Sequence, residues 1–153
     1  MTLFYDGDLL GEAMARTQTF HSKLVVSELD HDYELTIEDI WKFQDESPYK
    51  EITVDPKHFE SDLEQNPWNA RSVREVMRDF KSGSSRLAHA KRMATADDRP
   101  IAISRYPAGI KNSSGGEYFI LDGFHRVAKA LAEGKKKIKA RVFKTRWKKT
   151  ERR

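Results

Sequence analysis

Cysteine is absent from the 153 residues. That excludes disulfides, thiolate metal sites and cysteine nucleophiles, and leaves nothing that points to an oxidising compartment. Long apolar runs are absent too, since no stretch approaches the ~20 apolar residues of a membrane span. The segment Met1 to Arg16 carries Asp6, Asp8 and Glu12 and lacks the apolar centre of a signal peptide. The expectation is a cytoplasmic protein with no membrane contact. His21, His31, His58 and His89 show no metal-ligand spacing, so no metal-hydrolase site is expected.

What is present suffices for one folded unit. The length fits one ordinary domain, and 38% hydrophobic residues supply a core despite 34% charged ones. Charge is unevenly placed. Residues 135–153 hold 11 of the 28 Lys and Arg against the single acid Glu151, a local net of +10, while the preceding residues carry −6. We divide the chain into a domain over 1–143 and a basic C-terminal tail over 144–153. In that tail Lys144, Arg146, Lys148 and Lys149 are candidate phosphate contacts for a nucleic acid, and Trp147 is either a base-stacking residue or an aromatic covering the edge of the body.

Periodicity gives an α+β order. Residues 7–20 have the spacing of a short helix or a pairing arm, and Lys23 to Leu29 alternates as a strand. Thr36 is placed as the N-cap, with Asp39 at the capping-box position, of a helix through Ile40, Trp41 and Phe43 that Ser47-Pro48 ends. A strand over Glu51 to Val54, a turn or helix from Asp55-Pro56, and a break at Asn66-Pro67-Trp68 follow. Ser72 to Phe80 is an amphipathic helix, Ser82 to Ser85 a flexible stop, and Leu87 to Met93 a further helix. Then Pro100 to Ser104 and Tyr118 to Leu121 form a hairpin about a turn at Asn112 to Gly116. Asp122-Gly123 leads into a helix with Gly134 as its C-cap, and Ile138 to Phe143 is the final strand.

Chemistry concentrates at that strand-to-helix turn, Asp122-Gly123-Phe124-His125-Arg126. The first N–H groups of a helix lack internal partners and carry the positive dipole end, so they suit an anion. Gly123 would let a ligand approach closely, Asp122 would cap the helix, and His125 and Arg126 would add a titratable and a permanent cation beside a phosphate. Cations are mildly unfavourable at a helix N-terminus, by roughly 0.3 to 1 kcal/mol each, so two of them suggest an anion opposite. The alternative is that Arg126 pairs with a carboxylate of the body and His125 packs.

Pro100, Ile101, Ile103, Ile120, Leu121, Asp122, Gly123, His125, Arg126, Ala130 and Gly134 together resemble the ParB/sulfiredoxin-like superfamily, which places D-G-x-H-R or a related motif between a strand and a helix. The resemblance covers about 45 residues well. It implies a small mixed sheet with packed helices and a nucleotide bound at Gly123, Phe124, His125 and Arg126. Within the superfamily sulfiredoxin uses ATP, ParB proteins use CTP, and a free-serine-kinase branch uses ADP. Sulfiredoxin chemistry is excluded, because Phe124 stands where its motif cysteine falls. No helix-turn-helix is found, which sets aside a chromosome-partition role.

The expectation is therefore an ATP- or ADP-dependent phosphotransferase using Mg2+, with Asp122, His125 and Glu51 catalytic and Arg105 reaching the same pocket. Asp45 and Glu46 are further candidates for the base. The alternatives are a noncatalytic DNA- or RNA-binding protein using the basic tail, and a ParB-like nuclease.

Overall fold

The computed structural model describes residues 2–7, 22–28, 30–64, 73–83 and 88–151. Its first sheet is antiparallel, in the order β1-β2-β3-β8, from β1 (Thr2–Gly7), β2 (Ser22–Ser27), β3 (His31–Ile37) and β8 (Lys148–Glu151). Period-two alternation buries Leu24 and Val26 of β2 beside Leu35 and Ile37 of β3, with Leu24 opposite Leu35 and Val26 opposite Tyr33. The break expected at 66–68, the stop after Gly83 and most of the arm at 7–20 fall outside the described residues.

Thr36 and Ile37 belong to β3, so the following helix, α1 (Ile40–Glu46), starts later than the sequence pattern placed it. Its N-cap is Asp39, whose Oδ1 accepts from the N–H of Trp41 at 3.1 Å and of Lys42 at 3.0 Å. A capping-box pattern was present, but the shorter Asp side chain at the true boundary takes the donors itself.

The second sheet is mixed, in the order β4-β7-β5-β6, from β4 (Tyr49–Val54), β5 (Ile101–Arg105), β6 (Tyr118–Asp122) and β7 (Ile138–Phe143). β5 and β6 form the expected antiparallel hairpin, β7 runs parallel to β5, and β4 pairs antiparallel with β7. After β4 a 3-10 turn at Pro56–Phe59 leads into α2 (Glu60–Glu64); α3 (Val73–Ser82) and α4 (Ala88–Thr95) follow. α5 (Phe124–Ala132) links β6 to β7 and packs with α3 and α4. Phe59, Leu63, Val76, Ala90, Met93, Ile103, Phe119, Ile120, Val127 and Ala128 are buried in the core.

α5 ends at Glu133 as C-cap, and Gly134 is the next residue, at φ 71°. Gly134 N donates to Leu131 O at 3.1 Å and Lys135 N to Ala130 O at 2.9 Å. This pair of bonds closes the last turn as a Schellman motif, which is what glycine at that position permits.

The long β5–β6 connection is held by a buried polar cluster. Asp62 accepts from the Tyr106 hydroxyl and, at 3.2 Å, from Asn112 Nδ2, which also donates to His58 O at 2.7 Å. Asn112 Oδ1 accepts from Gly116 N at 2.7 Å and Ser114 N at 3.0 Å, so a single side chain organises the turn. Burial pushes the Asp62 carboxyl up to about 7, against the two hydrogen bonds that favour its charged form.

The basic segment after β7 is no free tail. Lys148–Glu151 pairs antiparallel with β3, Lys149 lying opposite Tyr33 and Glu151 opposite His31. Trp147 is half-buried, packs edge-on against Phe119 at 5.3 Å and donates from Nε1 to Arg105 O at 3.2 Å. Of its two expected roles, the structure gives it that of covering the body. Among the described residues no helix is long and apolar enough to cross a membrane.

Candidate functional site

The Asp122 to Arg126 turn sits where β6 delivers the chain to α5. Gly123 occupies the N-cap position at φ 108°, a conformation that strains any residue with a Cβ. A Cβ there would lie 2.7 Å from Ile101 Cγ2. On the side where a Cβ would stand, the close approach that requires glycine is made by the Ile101 side chain of the neighbouring strand.

Asp122 is not the helix cap. It closes β6, its side chain 4% exposed, accepting from Gln44 Nε2 of α1 at 3.0 Å and lying 3.7 Å from Arg126 Nη2. Arg126, 15% exposed at its side chain, donates from Nη1 to Arg99 O at 3.0 Å and Pro100 O at 2.7 Å. One guanidinium therefore ties α5 to the chain entering β5 and to the carboxylate closing β6. Arg126 thus has the body carboxylate that was one of its two expected partners, and its side chain also lines an open cleft.

That cleft, of about 300 Å3, is bounded by Trp41, Gln44 and Asp45 of α1, by Arg99 and Pro100, by Asp122 and Arg126, and by Arg141 of β7. Three guanidiniums face two carboxylates, one of which Gln44 and Arg126 already engage. Arg99 is exposed, with Nε 2.7 Å from Asp97 Oδ2; Arg141 is exposed, its guanidinium 4.6 Å from the centre of the Tyr49 ring. Planar guanidiniums converging on one opening present the forked donors that recognise phosphate and carboxylate.

The remaining expected site residues divide. Phe124 is 2% exposed and belongs to the core. His125 is half-buried in the first turn of α5, and burial, reinforced by Arg92 of α4 and by Arg126 and only partly opposed by Asp122, pulls it down to about 4. It is neutral at pH 7 and adds no positive charge to the turn. Arg105 lies at the far end of β5, opposite Tyr118, where it pairs with Glu117 at 2.9 Å and does not line the cleft. Glu51 lies on β4 opposite Arg141, outside the lining, whereas Asp45 is in it. Glu46 lines a separate cavity between α1, β3 and the β7–β8 connection, together with Lys144 and Arg146.

Trp41, Gln44, Arg99 and Arg141 are site residues that the sequence reading missed. A signal existed for Arg141, since strict alternation from Ile138 to Phe143 sends it to the polar face of its strand. For α1, 78 residues before Asp122 in sequence, only the fold could bring Gln44 to the turn.

Among the described residues no three His, Asp or Glu side chains converge as a metal site. Comparison with family models, curated proteins and solved structures gave no match.

Proposed function

We propose that the protein binds the phosphate of a nucleotide in the cleft between α1 and the first turn of α5. The observation that carries this reading is the convergence of Arg99, Arg126 and Arg141 on one opening beside a strand-to-helix turn. Arg126 is pre-set by two backbone carbonyls, so little side-chain entropy is lost when an anion arrives. Trp41 on the wall offers an aromatic surface to a base. The strand, D-G-x-H-R turn and helix in succession, with β7 returning beside β5, support the ParB/sulfiredoxin-like reading of this half of the chain.

For phosphoryl transfer, Asp45 replaces Glu51 as the carboxylate suited to take the acceptor proton, because it lines the cleft. With Asp45 as the base, the one other carboxylate of the cleft is Asp122, which Gln44 and Arg126 engage, so a Mg2+ would be carried by the nucleotide phosphates rather than by a protein site. When bound, the metal would neutralise charge developing on the phosphates.

The test is calorimetric titration with ATP, ADP and CTP in the presence of Mg2+, on the wild type and on Arg141→Ala, an exposed change that leaves the core intact. Saturable binding of at least one nucleotide, weakened about tenfold or more by Arg141→Ala, is expected from the loss of a charge-assisted contact of roughly 1.5 to 3 kcal/mol. Absence of binding to all three, or an unaltered affinity in the variant, overturns the assignment.

A further inference from the structure

A second cavity, of about 260 Å3, adjoins the first. Arg99 and Arg126 line both, so the two openings meet across these side chains. The second continues past Lys129 and along the start of β7, taking in Lys137 and Lys139. Each cavity alone is at or below the lower end of the volumes typical of small-molecule sites, about 300 to 1,000 Å3, and together they fall within that range. A ligand confined to the first would leave the second unused.

The cations of the second cavity are not equivalent. Lys129 Nζ donates to Ala96 O at 2.9 Å, and Lys135 lies 3.8 Å from both Asp98 and Glu133. Lys137 and Lys139, by contrast, form no ion pair among the described residues and are exposed. Lys139 and Arg141 flank Ala140 on β7 and so project from the same side of the strand, about 6.6 Å apart, and Lys137 directly precedes the strand. This row of cations begins in the second cavity and ends in the first. Ile101, Ala130 and Ile138 give the second cavity apolar wall as well, suited to sugar or base rather than to phosphate alone.

We propose that the ligand is an extended phosphodiester, a short single strand of at least two nucleotides, with one phosphate between Arg99, Arg126 and Arg141 and the next against Lys137 and Lys139. The assignment rests on the cleft being a phosphate site, and it names the ligand class for that site. The strand follows β7 from one cavity into the other. Inorganic polyphosphate would satisfy the cations but make no use of Trp41 or of the apolar wall.

Fluorescence anisotropy of labelled single strands separates these cases, with a 5′-phosphorylated mononucleotide, a di- and a trinucleotide of the same base and inorganic tripolyphosphate as competitors, on the wild type, Arg141→Ala and Lys137→Ala/Lys139→Ala. The dinucleotide is expected to compete about tenfold or more better than the mononucleotide. The double lysine variant should lose that advantage, keep its affinity for the mononucleotide, and show a salt dependence shallower by about 0.7 in log K against log salt, for the one phosphate it no longer contacts on a single strand. Equal affinity for mono- and dinucleotide overturns the extended ligand while leaving the phosphate cleft in place. Tripolyphosphate competing as well as the dinucleotide overturns the nucleic-acid assignment. If only Arg141→Ala is without effect, the cleft reading fails and the phosphodiester assignment fails with it.

Discussion

Gly123 illustrates how one residue can be required for a reason other than the function it accompanies. Its backbone at φ 108° and the Ile101 methyl group 2.7 Å from a built Cβ both exclude a side chain. Gly123→Ala is therefore expected to destabilise the fold by about 1 to 3 kcal/mol, measured as a lowered urea midpoint with an unchanged m-value. The companion change Ile101→Ala removes the Cγ2 methyl that makes the contact, so the double variant should lose less stability than the sum of the two single changes; strictly additive effects would show that strain at φ dominates. Trp147→Ala tests the other aromatic assignment. Loss of its packing on Phe119 should cost about 2 to 4 kcal/mol in unfolding experiments, whereas a Trp147 used only for stacking on bases would leave stability unchanged.

At the scale of elements, β8 carries the clearest consequence. It covers the edge of β3, so removing residues 148–153 leaves a row of unpaired backbone groups on β3. Such a truncation is expected to lower the unfolding midpoint and to promote self-association, seen as a concentration-dependent shift in size-exclusion chromatography; a monomer of unchanged stability would contradict the pairing. The elements most legible in the sequence were those whose pattern is local: the β5–β6 hairpin, α3, α5 with its Gly134 stop, and β7, each with a clean period or a turn signal. β3 was illegible because Thr36 and Asp39 carry a helix-start pattern across its last residues and its first four side chains stay only half-buried. β8, Lys-rich and four residues long, reads as a solvated tail until a partner strand is known. The candidate site followed the same division, for the turn Asp122 to Arg126 is contiguous whereas Gln44, Arg99 and Arg141 come from three other segments.

Across the whole molecule two titratable groups, the buried Asp62 and the half-buried His125, pull stability in opposite directions. Asp62, raised from 3.8 to about 7, keeps its proton in the folded state where the unfolded chain has released it, so it makes stability fall as pH rises from about 4 to about 7. His125, lowered from 6.5 to about 4, refuses in the folded state a proton that the unfolded chain accepts, so it makes stability fall as pH drops from about 6.5 to about 4. Between about 4 and 6.5 the two slopes offset. Denaturant midpoints taken across that range should be nearly flat for the wild type, rise with pH in Asp62→Asn and fall with pH in His125→Gln; parallel profiles in the two variants would refute the opposition. The strand order has a temporal consequence as well. β7 stands between β4 and β5, and β8 closes the other sheet, yet both leave the ribosome after every other described strand. At synthesis rates of about 5 to 20 residues per second, β4 and the β5–β6 hairpin wait seconds for the strand that joins them, so a nascent chain halted before residue 138 holds two unjoined pieces of one sheet and depends on holding factors rather than on its own core.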